Sequence, residues 1–179
     1  MHESVLRLID ILPPDEAVRD EINWSAVARR FGHGFPDDYM DFMGAYGPGA
    51  INDSFSIGSP VLIEDSSWPP RFIGDITSDG LHLLDGVGPG VAWGEDCAAA
   101  YVFWNAEGRD PNEWTVSVVG RTGSRTDFSF GMADFLLYLL RSRTEDIPVA
   151  LFSPESPRFM HWREEGRLRS EWLNPWPEL

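Results

Sequence analysis

The chain has 179 residues, 42% hydrophobic and 13% aromatic, which is enough for one domain with a sizeable core and too apolar for a disordered chain. Against 29 acidic residues stand 14 basic ones, all arginine, and the net charge of −15 makes phosphate-bearing nucleic acid and anionic membranes poor partners. The single cysteine, Cys97, excludes an internal disulfide; with no cationic signal-peptide start and no run of about 18 apolar residues, the expectation is a cytoplasmic protein.

In chain order, Val5, Leu6, Ile9 and Leu12 predict an opening helix that ends at Pro13 and Pro14. Trp24, Val27, Ala28 and Phe31 recur at helical spacing, with Asn23 as N-cap and Gly32 as terminator. A second short helix follows at once. Pro36 suits its first position, Asp37 and Asp38 complement its dipole, Tyr39, Phe42, Met43 and Tyr46 share one face, and Gly47 with Pro48 stops it. Beyond Gly49 the texture turns to short β-favouring runs. Phe55 to Ile57, Val61 to Ile63 and Phe72 to Ile76 read as strands cut by prolines and Gly74, and the glycine-rich run 86–94 reads as a turn. Tyr101 to Trp104 and Trp114 to Val119 are stronger strands, joined by a hairpin-like connection and expected at the sheet centre, with Thr126 to Phe130 as a further strand. Met132, Phe135, Leu136, Leu139 and Leu140 mark a helix able to cover a sheet face, with Arg141 and Arg143 at its C-terminal end. The tail 145–179 carries Phe159, Trp162, Trp172 and Trp176. It is too aromatic for a solvated linker, so it is expected to pack back on the domain with a short helix over Pro157 to Glu165; a partner-binding arm is the alternative.

Little in the sequence points to catalysis. His2, His33, His82 and His161 lie far apart with no metal-ligand spacing, the run 86–94 lacks the residues of a phosphate loop, and Cys97 has no histidine near it in sequence. No catalytic residue, metal site or cofactor is expected. Charge is the more informative feature. From Phe72 to Gly108 there is no arginine or lysine, while Asp75, Asp79, Asp85, Glu95, Asp96 and Glu107 are all present. Gathered on one face, these acids would steer a cationic partner; the alternative is that they only solubilise loops. Trp93, beside Glu95 and Asp96, is either an exposed interface anchor or a core residue.

Taken together, Trp24, Phe31 and Gly32, then Phe35, Pro36, Tyr39, Phe42, Tyr46 and Gly47, then Trp93 with Gly94 and the acidic pair, Phe103 with Trp104, Trp114, and Phe135 with Leu136 resemble the signature of the SUKH superfamily. The likeness runs in order from Trp24 to Ser142, and the group includes the yeast cell-wall-assembly regulator domain. The resemblance implies an α+β fold, a mainly antiparallel sheet flanked by helices, with the two short N-terminal helices packed at one end. Its bacterial branch further implies a cytoplasmic, non-catalytic immunity protein that neutralises a cognate toxin domain. That partner is expected to be cationic, with nucleases as a leading class, and the candidate contacts are Asp75, Asp79, Asp85, Trp93, Glu95 and Asp96. A scaffold or regulatory module, like the fungal relatives, is the alternative.

Overall fold

A computed structural model describes residues 1–15, 20–64, 68–84, 88–141, 149 and 157–177. The three N-terminal helices form where periodicity and caps place them. Helix α1 (Glu3–Ile11) buries Val5 and Leu8, while Leu6 turns to solvent, so its apolar face lies one step round from the expected one. Helix α2 (Trp24–Phe31) starts with the Asn23 side chain accepting from Ala26 N–H and ends at Gly32 in the left-handed conformation. Helix α3 (Asp37–Ala45) buries Tyr39, Phe42 and Met43, with Pro36 standing one place earlier than expected, at the N-cap itself. Trp24 meets Tyr39 edge-on at 5.9 Å between ring centres, which joins α2 to α3.

Among the described residues the sheet has seven strands, all antiparallel, in the order β6-β5-β4-β3-β2-β1-β7: β1 (Gly49–Ile51), β2 (Phe55–Ile57), β3 (Gly90–Asp96), β4 (Tyr101–Asn105), β5 (Thr115–Val119), β6 (Arg125–Asp127) and β7 (Phe159–His161). The α+β expectation therefore holds, but the centre of the sheet is β3, drawn from the stretch read as a turn, and β4 and β5 lie to one side of it. Glycine is required there by close packing. A Cβ on Gly94 would come within 2.6 Å of the Phe55 ring on the neighbouring strand.

Two further expectations fail. Val61 to Ile63 forms no strand, and Phe72 to Ile76 gives instead the start of helix α4 (Ile73–Gly80). A short apolar run carries no period of its own, and packing decides its state. Ile73 and Ile76, three residues apart, are both fully buried, and the Thr77 hydroxyl accepts from the Ala92 N–H of β3 at 3.1 Å.

One sheet face, with Ile51, Phe55, Ile57, Trp93, Val102, Trp104, Val116, Val118 and Phe159, packs under α1, α3 and α5 (Met132–Arg141). Complete burial of each large apolar side chain contributes about 1.5–3 kcal/mol, so this layer dominates stability. The second face is covered in two separate patches. Ile76 and Leu84 lie over Ala92, Phe103 and Val119, whereas Trp176 and Leu168 lie over Ala50 and Met160. The latter patch belongs to residues 157–177, the described stretch of the tail. It contributes β7 as an edge strand before α6 (Trp162–Ser170) begins, so its helix starts later than the expected Pro157.

Candidate functional site

Between the two patches on the second face lies a groove of about 540 Å³. Its floor is Gly49, Ala50, Ser56 and Ile57 of β1 and β2, one wall is Trp68 to Arg71, and the other is Trp162, Glu165 and Arg169 of α6. These walls are fixed by chemistry on both sides. Trp68 sits against Gly166, where a Cβ would come within 3.1 Å of it, and carries the Arg169 guanidinium 4.7 Å above its ring. Arg169 in turn donates to the nearly buried Glu165 at 2.7 Å and lies 3.5 Å from Asp53 at the β1–β2 turn.

On the opposite wall Arg71 donates to Asp79 at 2.6 Å and to Glu95 at 2.8 Å. Partial burial works against its charge, but the bond to Asp79 and the field of Glu95 outweigh it and raise its pKa further. The basic residue that meets this acidic segment therefore stands one position upstream of it. Asp75 and Asp79 are exposed one turn apart on α4, and Glu95 joins them from β3 through Arg71. Two of the expected contact residues, Asp79 and Glu95, thus meet at Arg71 of the groove wall, and Asp75 lies one turn away on α4.

The other three do not join them. Trp93 is fully buried among Phe55, Trp104 and Phe135, so it is a core residue and not an interface anchor. Asp96 is buried as well, and its Oδ1 accepts from Ala98 N–H at 2.9 Å and Ala100 N–H at 2.7 Å, which closes the β3–β4 turn. Asp85 lies outside the described residues. Exposed indoles occur elsewhere, at Trp68, which is 42% exposed, and at Trp172, which is 96% exposed and followed by the half-exposed Leu173. A sequence signal for Trp172 does exist. The groove-facing residues 162, 165 and 169 have helical spacing that continues to 172, just past the helix end.

Helix α6 is held at its N-terminus by charge. The His161 side chain is its N-cap, with Nδ1 accepting from Arg163 N–H at 3.1 Å. Its Nε2 faces Asp20 Oδ2 at 3.3 Å, outside hydrogen-bond alignment, and Asp20 accepts from Arg163 at 2.7 Å and from the Trp162 indole at 3.2 Å. Burial, aided by the Arg163 charge, lowers the His161 pKa below its ordinary value despite Asp20. For Asp20 burial opposes ionisation, but the bonds from Arg163 and Trp162 prevail and its carboxyl titrates below the usual range.

Among the described residues no group of three or more histidine, cysteine, aspartate or glutamate side chains is placed to hold a metal ion, and no helix is long and apolar enough to cross a membrane. Fold and groove together define an α+β protein with a helix-walled, acid-rimmed cleft on one face of an antiparallel sheet. Comparison with protein-family models, with curated proteins and with solved structures finds no match to this chain.

Proposed function

We propose that the chain is a SUKH-like, non-catalytic immunity protein that binds and neutralises a cognate toxin domain, cationic and of nuclease type, across the face formed by α4, the groove and α6. The observation that carries the reading is the composition of that face: Asp79 and Glu95 meeting at Arg71 of one groove wall, Asp75 one turn along α4, and exposed Trp68 and Trp172 at the groove and beyond α6. Exposed indoles beside carboxylates have the make-up of a binding hot spot with a polar rim. The net charge of −15 adds long-range steering toward a cationic cleft, where carboxylates occupy the positions of substrate phosphates. Inhibition then follows from occupancy and needs no turnover.

The test is the affinity of the purified chain for the C-terminal domain of the protein encoded beside its gene, measured at two salt concentrations. One-to-one binding that weakens with salt is expected. No binding at micromolar concentration overturns the pairing and favours a scaffolding module, for which several weaker partners should be recovered. Within a complex, changing Asp75, Asp79 and Glu95 together to Asn, Asn and Gln slows association and flattens its salt dependence.

A further inference from the structure

The first sheet face carries a second cavity, of about 580 Å³, where the N-terminal ends of α1, α3 and α5 converge. Asp37, Asp38 and Asp134 line it together with Asn112, Trp114 and Phe130. Each carboxylate is anchored to the protein through one oxygen. Asp38 Oδ2 accepts from Ala133 N–H at 2.9 Å, Asp134 Oδ1 from the Ser4 hydroxyl at 2.7 Å, and Asp37 Oδ2 from the Asn112 amide at 3.3 Å. Asp38 is more than nine-tenths buried, and its Oδ1 has no hydrogen-bond partner among the described residues.

A buried carboxylate oxygen left without a donor is costly, and here burial raises the Asp38 pKa above the ordinary carboxylate value. Among the described residues it is relieved only in part: the field of His2 lowers the Asp38 pKa, but burial raises it more. No arginine lines the cavity; Arg7 and Arg141 border a neighbouring hollow that shares Phe130 and Asp134, and His2, at the cavity edge, uses Nδ1 to accept from Ser4 N–H.

We propose that this cavity binds the guanidinium of a peptide-linked arginine side chain. A guanidinium offers planar, forked donors that match carboxylates at more than one position, and its face stacks on aromatic walls such as Trp114 and Phe130. Three aspartates with no lining lysine or arginine offer no counter-charge to an α-carboxylate, so the blocked, peptide-linked side chain should bind more tightly than free arginine. The site lies on the opposite sheet face from the groove and is independent of the function proposed for that face.

The experiment is an amide-resolved NMR titration of the whole chain with Nα-acetyl-arginine N-methylamide, with the corresponding citrulline derivative and free arginine as controls. Saturable shifts at Gly131, Ala133 and Asp134 are expected with the blocked arginine and not with the neutral citrulline. Affinity should weaken at least about fivefold in Asp38→Asn and Asp134→Asn, each of which keeps the acceptor that its neighbour needs, and should be unchanged in Glu171→Gln at the C-cap of α6. Shifts scattered over the acidic surface and equal in all variants mean diffuse counter-ion binding and overturn the proposal. Absence of saturable shifts means that water alone satisfies Asp38 and overturns it equally. Should Asp38→Asn fail to fold, Asp134→Asn and Asp37→Asn decide the matter by the same readout.

Discussion

Helices α5 and α6 cover opposite faces of the same sheet, and they are attached by different forces. Helix α5 buries seven of its ten residues, all apolar, while α6 buries only Trp162 and the charged Glu165. Hydrophobic attachment responds weakly to pH and salt, whereas α6 depends on Asp20, Arg163 and the Glu165–Arg169 pair. The proposed partner surface rests on the second kind of attachment. A binding element held by charge can adjust while the core that positions it stays fixed.

The largest effect should come from breaking the apolar side of this contrast. Leu136→Ala on α5 removes a fully buried side chain and is expected to cost about 2–5 kcal/mol, read as a lower midpoint in denaturant unfolding. Equal loss from an exposed α5 substitution such as Arg141→Ala would contradict the hydrophobic attachment. On the charged side, Asp20→Ala leaves the Trp162 indole and the Arg163 guanidinium without their acceptor. It should cost about 1–3 kcal/mol and loosen α6 first, seen as amide exchange rising across Trp162 to Ser170 while α5 stays protected.

A smaller effect is expected from pH. The His161 pKa is lowered by folding, so the unfolded chain takes up the proton first; its contribution to stability is complete above about pH 6.5 and declines as pH falls below that value. Asp20, also lowered, adds a second loss only below about pH 4. The melting temperature of the chain should therefore fall between about pH 7.5 and about pH 5.5 more steeply than that of His161→Asn, which keeps an N-cap acceptor. Parallel profiles would show that the charged groups acting on this ring, Asp20, Asp15 and Arg163, offset its burial, so that His161 takes up its proton equally in the folded and unfolded chain. The smallest expected change in stability is that of Trp172→Ala. At 96% exposure it should stay within about 0.5 kcal/mol, yet weaken binding of the partner by about 2 kcal/mol or more if Trp172 anchors the complex.

Much of this architecture is legible from local pattern. Helices α1, α2, α3 and α5 announce themselves through spacing and caps, and β4 and β5 through dense β-branched and aromatic runs, because the relevant interactions lie within about four residues along the chain. Strands β1 and β7 are three residues each and too short to carry a period. Strand β3 hides in a glycine-rich stretch because its small residues answer to Phe55 on a neighbouring strand, not to any local preference. For the same reason α4 passes for a strand until the sheet beneath it is known.

The groove divides along the same line. Asp75, Asp79 and Glu95 can be named from charge alone, but the pairing of Asp79 and Glu95 with Arg71 depends on α4 crossing β3, and the second wall depends on a tail strand more than a hundred residues away joining β1. Trp93 and Trp172 make the clearest pair. Both are tryptophans with an acidic residue within two positions, and one is fully buried while the other is almost fully exposed. Composition settles the sign of the molecule's field, and periodicity settles where its main helices run, since both are sums over near neighbours. Which carboxylate keeps its charge uncompensated, and which indole meets solvent, is settled only when distant segments pack, because burial and ion pairing are properties of the space around a side chain and not of its place in the chain.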